Sequence, residues 1–235
     1  MLAGFMGALL GSWAACIGYR IPRGISLWGR SACPYCGHGL SAVDLIPVLG
    51  FLIARGRCRY CGVKISPAYL SMEITLAVMS IMLLLLLGPT TQYLMLMILL
   101  TGLAVAAVSD LGTLIIPDKI VIVLAFMAAP FYLTGDIKLW YSITGAVTGF
   151  GAMILPGLVT KQFPGGGDIK LIGVIGLYLG PYGVAFALLI SVFTGLLIQK
   201  LVVKDKEQFP FAPYLFAGVV GTLMALPGQI MLLGG

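Results

Sequence analysis

Apolar residues run along this chain in long, nearly unbroken stretches, with polar residues gathered into short breaks between them. A helix needs about 20 apolar residues to cross some 30 Å of hydrocarbon. Windows of that kind fall at 1–19, 69–88, 91–109, 119–134, 139–160, 169–180, 181–203 and 213–234. The pattern predicts an all-α polytopic membrane protein with about eight transmembrane helices. The windows at 119–134 and 169–180 are short, which suits tilted or partial crossings. A cleaved signal peptide is the rival reading of residues 1–19, but no basic n-region and no small-x-small site precede Arg20.

Composition agrees with the pattern. Hydrophobic residues make up 60% of the 235, charged residues 9%, and mean hydropathy is +1.08, outside the range of soluble domains. Charge placement adds an orientation. With the N-terminus outside and eight crossings, every lysine and arginine but Lys138 lies on the cytoplasmic side. The net charge of +6 is then an inner-leaflet anchor, and no nucleic-acid partner is expected.

The first two windows enclose the one sizeable polar segment, which divides the chain into a first transmembrane helix (1–19), a cytoplasmic zinc-binding loop domain (20–68) and a transmembrane core (69–235). Four of the five cysteines lie in the loop, as Cys33-x-x-Cys36 and Cys58-x-x-Cys61, each pair followed by a glycine. Two such knuckles let four thiolates converge on one structural Zn²⁺. A thiol–disulfide relay is the alternative; a reducing cytoplasm and the lack of acceptor cysteines weigh against it. His38 reads as a solvated loop residue, with ligand or proton carrier as its other roles, and Cys16 as a small buried hydrophobe. The ten residues LIPVLGFLIA (45–54) are too short to span, and both a small core and an interfacial segment remain open for them.

Most of the eight acidic residues have simple accounts. Asp205 and Glu207 alternate with lysines, and Asp136 sits in a short turn. Glu73, one turn inside a span, needs a partner, for which an arginine or lysine of the loop is the candidate. Asp110 and Asp168 differ, because each stands at the cytoplasmic end of an apolar window, where an ionisable group is costly and points to function. Before Asp168 run Gly165, Gly166 and Gly167, which allow positive φ and close approach of a second chain. Two facing carboxyls and an exposed backbone suit an aspartic protease, one carboxyl protonated and the other activating water. A flexible loop with Asp168 as helix N-cap stands beside that reading. Asp118 fits an N-cap or first-turn acid, with a catalytic role as its alternative, and Lys170 shapes the local field or meets lipid phosphates.

The stretches DLGTLIIPD (110–118) and GGGDIKL (165–171), the double CxxC loop, DLIPVLG, GRCRYCGVKIS and FPFAPYL together resemble the type IV prepilin peptidases, membrane aspartic proteases of the GxGD type. The resemblance implies catalytic roles for Asp110 and Asp168 and makes Asp118 a structural companion. It further implies bacterial inner-membrane location, removal of a short basic leader from prepilins or pseudopilins at the cytoplasmic face, and N-methylation of the new terminus by S-adenosylmethionine. Ala15, Ala68 and Leu70 depart from the family's GSFLN and RYP patterns, which bears on methyl transfer and leaves a peptidase without it as one alternative. A non-enzymatic assembly factor of a secretion system and a transporter are the others. The oligomeric state is not legible in the sequence.

Overall fold

The computed structural model describes residues 1–133, 138–161, 164–202 and 209–226, and within these the chain is helical, with only two isolated β-bridges. The helices are α1 (Leu2–Arg20), α2 (Leu49–Ile53), α3 (Pro67–Leu87), α4 (Thr91–Thr113), α5 (Asp118–Leu133), α6 (Leu139–Thr160), α7 (Gly166–Val202) and α8 (Ala212–Ala225). Asp136, Asp205 and Glu207 lie outside the described residues.

Local signals set the ends. The Ser66 hydroxyl accepts the Ala68 N–H at 3.3 Å with Pro67 in the first turn, and Gly88 at φ +66° stops α3. Thr90 caps α4 in the same way, and Leu114 at φ +54° ends it. Among the described residues, five helical segments are long and apolar enough to cross a membrane: Leu2–Arg23, Pro67–Leu87, Thr91–Thr113, Leu139–Leu158 and Gly166–Lys200. Helices α5 and α8, at 16 and 14 residues, are shorter apolar partners.

Helix α7 is two limbs. Gly180 (φ 69°, ψ −176°) followed by Pro181 breaks it. A Cβ built on Gly149 of α6 would lie 2.8 Å from the Ile172 carbonyl oxygen and 3.3 Å from Val184 Cγ2. A straight helix would hold Ile172 and Val184 about 18 Å apart, so the chain doubles back at Gly180 as a helical hairpin. The turn is sterically exacting: a Cβ on Gly180 would enter the Tyr141 ring, and one on Gly145 would strike the Gly176 carbonyl. With α7 counted as two limbs, the described helices supply the eight apolar segments that the sequence pattern predicts.

Helix α4 is the hub, buried along most of its length from Met95 to Asp110. Close backbone contacts set the neighbours around it. Gly7 and Gly11 of α1 meet Leu76 and Glu73 of α3 antiparallel, while Gly18 of α1 meets Val105 and Val108 of α4 with the two helices running the same way. Small residues at such crossings are how helices pack where lipid offers no hydrophobic drive. Large apolar side chains such as Leu85, Phe126, Leu189 and Phe193 point outward, as a lipid-facing surface requires.

Glu73 corrects one expectation. Its Oε2 accepts the backbone N–H of Val48, in the loop domain, at 2.6 Å rather than an arginine or lysine. The amide is freed for this by Val48's positive φ of 65°, just ahead of α2.

Candidate active site and metal centre

Asp110 lies four residues before the Leu114 cap of α4 and is 5% exposed. Its Oδ2 accepts the N–H of Ala212, the first residue of α8, at 2.8 Å. Helix N-termini carry unpaired N–H groups and a partial positive charge, so α8 seats the carboxylate. Sequence reading missed this partner, since a backbone donor leaves no letter; FPFAPYL was its only trace. The loop beyond α4 is pinned as well, with Ser109 Oγ donating to the Ile115 carbonyl at 2.6 Å.

Asp168 stands in the first turn of α7, two residues past its start, and not at the cap. Its Oδ1 is buried and has no hydrogen-bond partner among the described residues. A buried carboxyl oxygen left unpaired is costly and marks a place for a water or a substrate atom. The three glycines work differently from expectation: none has a positive φ, and Gly166 and Gly167 are already helical. They make room. A Cβ on Gly167 would sit 3.0 Å from Ile116 Cβ, and one on Gly165 would sit 2.9 Å from Asp168 Oδ2. The close fit of Gly167 against Ile116 joins the segment holding Asp110 to the segment holding Asp168.

Asp118 begins α5 and pairs with Lys170 Nζ at 2.7 Å, both side chains more than half exposed. The pair ties α5 to α7 two residues past Asp168. Exposed pairs of this kind contribute about 0.2–1 kcal/mol. Asp118→Asn is therefore expected to lower turnover by no more than about fivefold, measured as initial rate in proteoliposomes.

Arg23, in the 3₁₀ turn Ile21–Arg23, reaches the other side of the same end of the bundle. Its guanidinium donates to the Tyr19 carbonyl at 3.0 Å and the Gly112 carbonyl at 3.3 Å, and lies over the Tyr19 ring. A cation on the last carbonyls of α4 satisfies both their hydrogen bonding and the helix dipole.

In the loop domain the four sulfurs of Cys33, Cys36, Cys58 and Cys61 lie within 4.8 Å of one another, Cys33 and Cys61 at 3.9 Å. A tetrahedron with Zn–S arms of about 2.3 Å has edges of about 3.8 Å, so the donor set fits zinc. The knuckles repeat each other. Cys33 N–H donates to His38 O and Gly37 N–H to Cys33 O, both at 2.9 Å; Cys58 N–H donates to Val63 O and Gly62 N–H to Cys58 O, both at 2.8 Å. Gly37 and Gly62 take φ of 70° and 73°, the left-handed turn each knuckle needs. The amide N–H groups of Cys36 and then Tyr35 bring the Cys33 thiol down to about 7, while within the same cluster the Cys61 thiol is pushed up to about 12, the Val63 amide being outweighed by burial and the neighbouring sulfurs. His38 stacks on Tyr60 with ring centroids 3.6 Å apart. Asp44 binds Ser41 and Arg59, and the Ser41 hydroxyl leads in holding its carboxyl below the usual range.

Comparison with known proteins agrees with this geometry. Residues 5–87 match the bacterial peptidase A24 N-terminal domain, and residues 97–199 match the type IV leader peptidase family. The prepilin leader peptidase/N-methyltransferase of Bacillus subtilis is 33% identical over 91% of this chain and 89% of its own. That of Aeromonas hydrophila is 31% identical over 88% and 72%. The type 4 prepilin-like proteins leader peptide-processing enzyme of an Escherichia coli strain is 31% identical over 83% and 75%. No solved structure matches. Both halves of the chain, the knuckle-bearing part and the part with Asp110 and Asp168, thus meet the same relatives, and the chain belongs to the type IV leader peptidase family.

Proposed function

We propose that the protein is an aspartic endopeptidase of the bacterial inner membrane that removes the short basic leader of type IV prepilins or pseudopilins, with Asp110 and Asp168 as its dyad. One carboxyl, protonated, polarises the scissile carbonyl; the other takes a proton from water, whose oxygen adds to the carbonyl carbon. Collapse breaks the C–N bond and the leaving amine takes up a proton. The titration belongs to the pair. The observation that carries this reading is the buried Oδ1 of Asp168, without a hydrogen-bond partner among the described residues, on a segment packed through Gly167 against Ile116, six residues past the Asp110 that a helix N-terminus holds. Gly165 and Gly166 leave space beside Asp168 for an extended substrate, Gly167 lets Ile116 approach closely, and the exposed Asp118–Lys170 pair borders the site.

The placement of Lys and Arg supports an outside N-terminus, with the loop domain (20–68) and the dyad at the cytoplasmic face and a peptidase core over 69–235. The Cys33, Cys36, Cys58 and Cys61 set supports one structural Zn²⁺. Methylation of the new N-terminus by S-adenosylmethionine follows the relatives' names, although Ala15, buried between helices, offers no polar group there. Purified protein in liposomes, given a prepilin-type substrate and methyl-labelled S-adenosylmethionine, tests both activities. Leader removal with label on the product supports the full reading, and leader removal alone leaves a peptidase. No cleavage by the folded, zinc-loaded protein across several prepilins overturns the enzyme.

A further inference from the structure

The segment LIPVLGFLIA has a buried side and an exposed side. Pro47 and Gly50 are buried, and a Cβ on Gly50 would meet the Asp44 carbonyl oxygen at 2.5 Å, so this side of α2 is closed against the turn before it. On the other side Leu49, Leu52 and Ile53 are 53–56% exposed, with Leu45 and Ile46 exposed next to them. A run of large aliphatic side chains facing outward is unusual for a loop that water surrounds.

Its depth is set by one hydrogen bond. Val48 donates to Glu73, six residues into α3, which is about 9 Å along the helix axis. The next residue, Ile74, is exposed, as are Val78 and Ile81 further along α3. The apolar side of α2 is therefore anchored beside the helix that enters the bilayer, at the level where its outward stripe begins. Arg55, Arg57 and Lys64, all exposed, follow in the chain. That basic flank attracts anionic headgroups and repels both a basic leader peptide and the same surface on a second copy.

We propose that α2 lies in the interfacial layer of the cytoplasmic leaflet, with Leu49, Leu52 and Ile53 in the acyl boundary and the basic flank among anionic headgroups, so that the metal knuckles rest on the membrane as a monotopic element. This rests on α3 crossing the bilayer and not on the enzymatic reading. The test is Leu52→Trp in the full chain with Trp13, Trp28 and Trp140 replaced by Phe, reconstituted in phosphatidylglycerol-containing vesicles. Emission is expected to be blue-shifted, quenched by lipids brominated near the carbonyl end of the acyl chain, and protected from acrylamide. Leu49→Trp in the same background gives the same result and stands in should the first variant fold poorly. Acrylamide quenching equal to that of a free tryptophan analogue, without bromolipid quenching, overturns the proposal. So does protection that bromolipids do not report and that disappears as protein is diluted in lipid, which assigns the face to a second copy.

Discussion

Asp110→Asn and Asp168→Asn are each expected to lower leader removal by about 10²–10⁴-fold or more, the range that acid–base groups contribute, with insertion and folding retained. At these positions the proposed catalytic role is separable from folding. Asparagine at 110 keeps an oxygen that accepts the Ala212 N–H, so the seat at the start of α8 survives, but it cannot exchange a proton. Among the described residues Asp168 has no hydrogen-bond partner at Oδ1, so amidation there breaks none of the described contacts to that atom. Asp110→Leu is expected to cost folded yield as well, because it strands the Ala212 amide in a buried place. The measurement is initial rate per folded enzyme in proteoliposomes beside size-exclusion yield. Near-normal turnover in either asparagine variant removes the dyad assignment.

The second large effect concerns the metal. Structural zinc supplies about 10–16 kcal/mol of folding free energy in small knuckles, and residues 20–66 have only short helical turns and two β-bridges besides. Cys58→Ser, or a strong chelator, is expected to open this region and leave it cut by trypsin at Arg55, Arg57 and Lys64. Bound zinc falls from one ion per chain toward none. The transmembrane helices pack through their own glycine contacts and are expected to resist. Equal trypsin resistance with and without chelator, and no zinc by elemental analysis, overturns the structural-zinc assignment.

Much of the fold was legible because in a membrane the apolar window is itself the element. Even the reversal at Gly180 is visible as a Gly–Pro step inside an apolar run. What escaped was carried by the backbone. The Ala212 amide on Asp110 and the Val48 amide on Glu73 join residues far apart in sequence through groups that every residue shares. The positive φ expected of the glycine run is absent for a related reason: what the run is used for depends on what stands opposite, and Ile116 arrives from the loop between α4 and α5. The two CxxC pairs were legible at the level of the ligand set because sulfur chemistry fixes the spacing, but the side that α2 presents was not.

On the proposed topology the hairpin at Gly180 also determines the parity of the chain: each crossing exchanges one side of the membrane for the other, and the step Gly180–Pro181 adds one exchange without any hydrophilic loop to mark it. A cell inserting this stretch has no charged residue between Lys170 and Lys200 from which to judge sidedness, so the decision falls to a single peptide turn. Were the two limbs to insert as one straight rod, α8 would start on the opposite side of the membrane from Asp110, and the acid would lose the Ala212 amide that seats it.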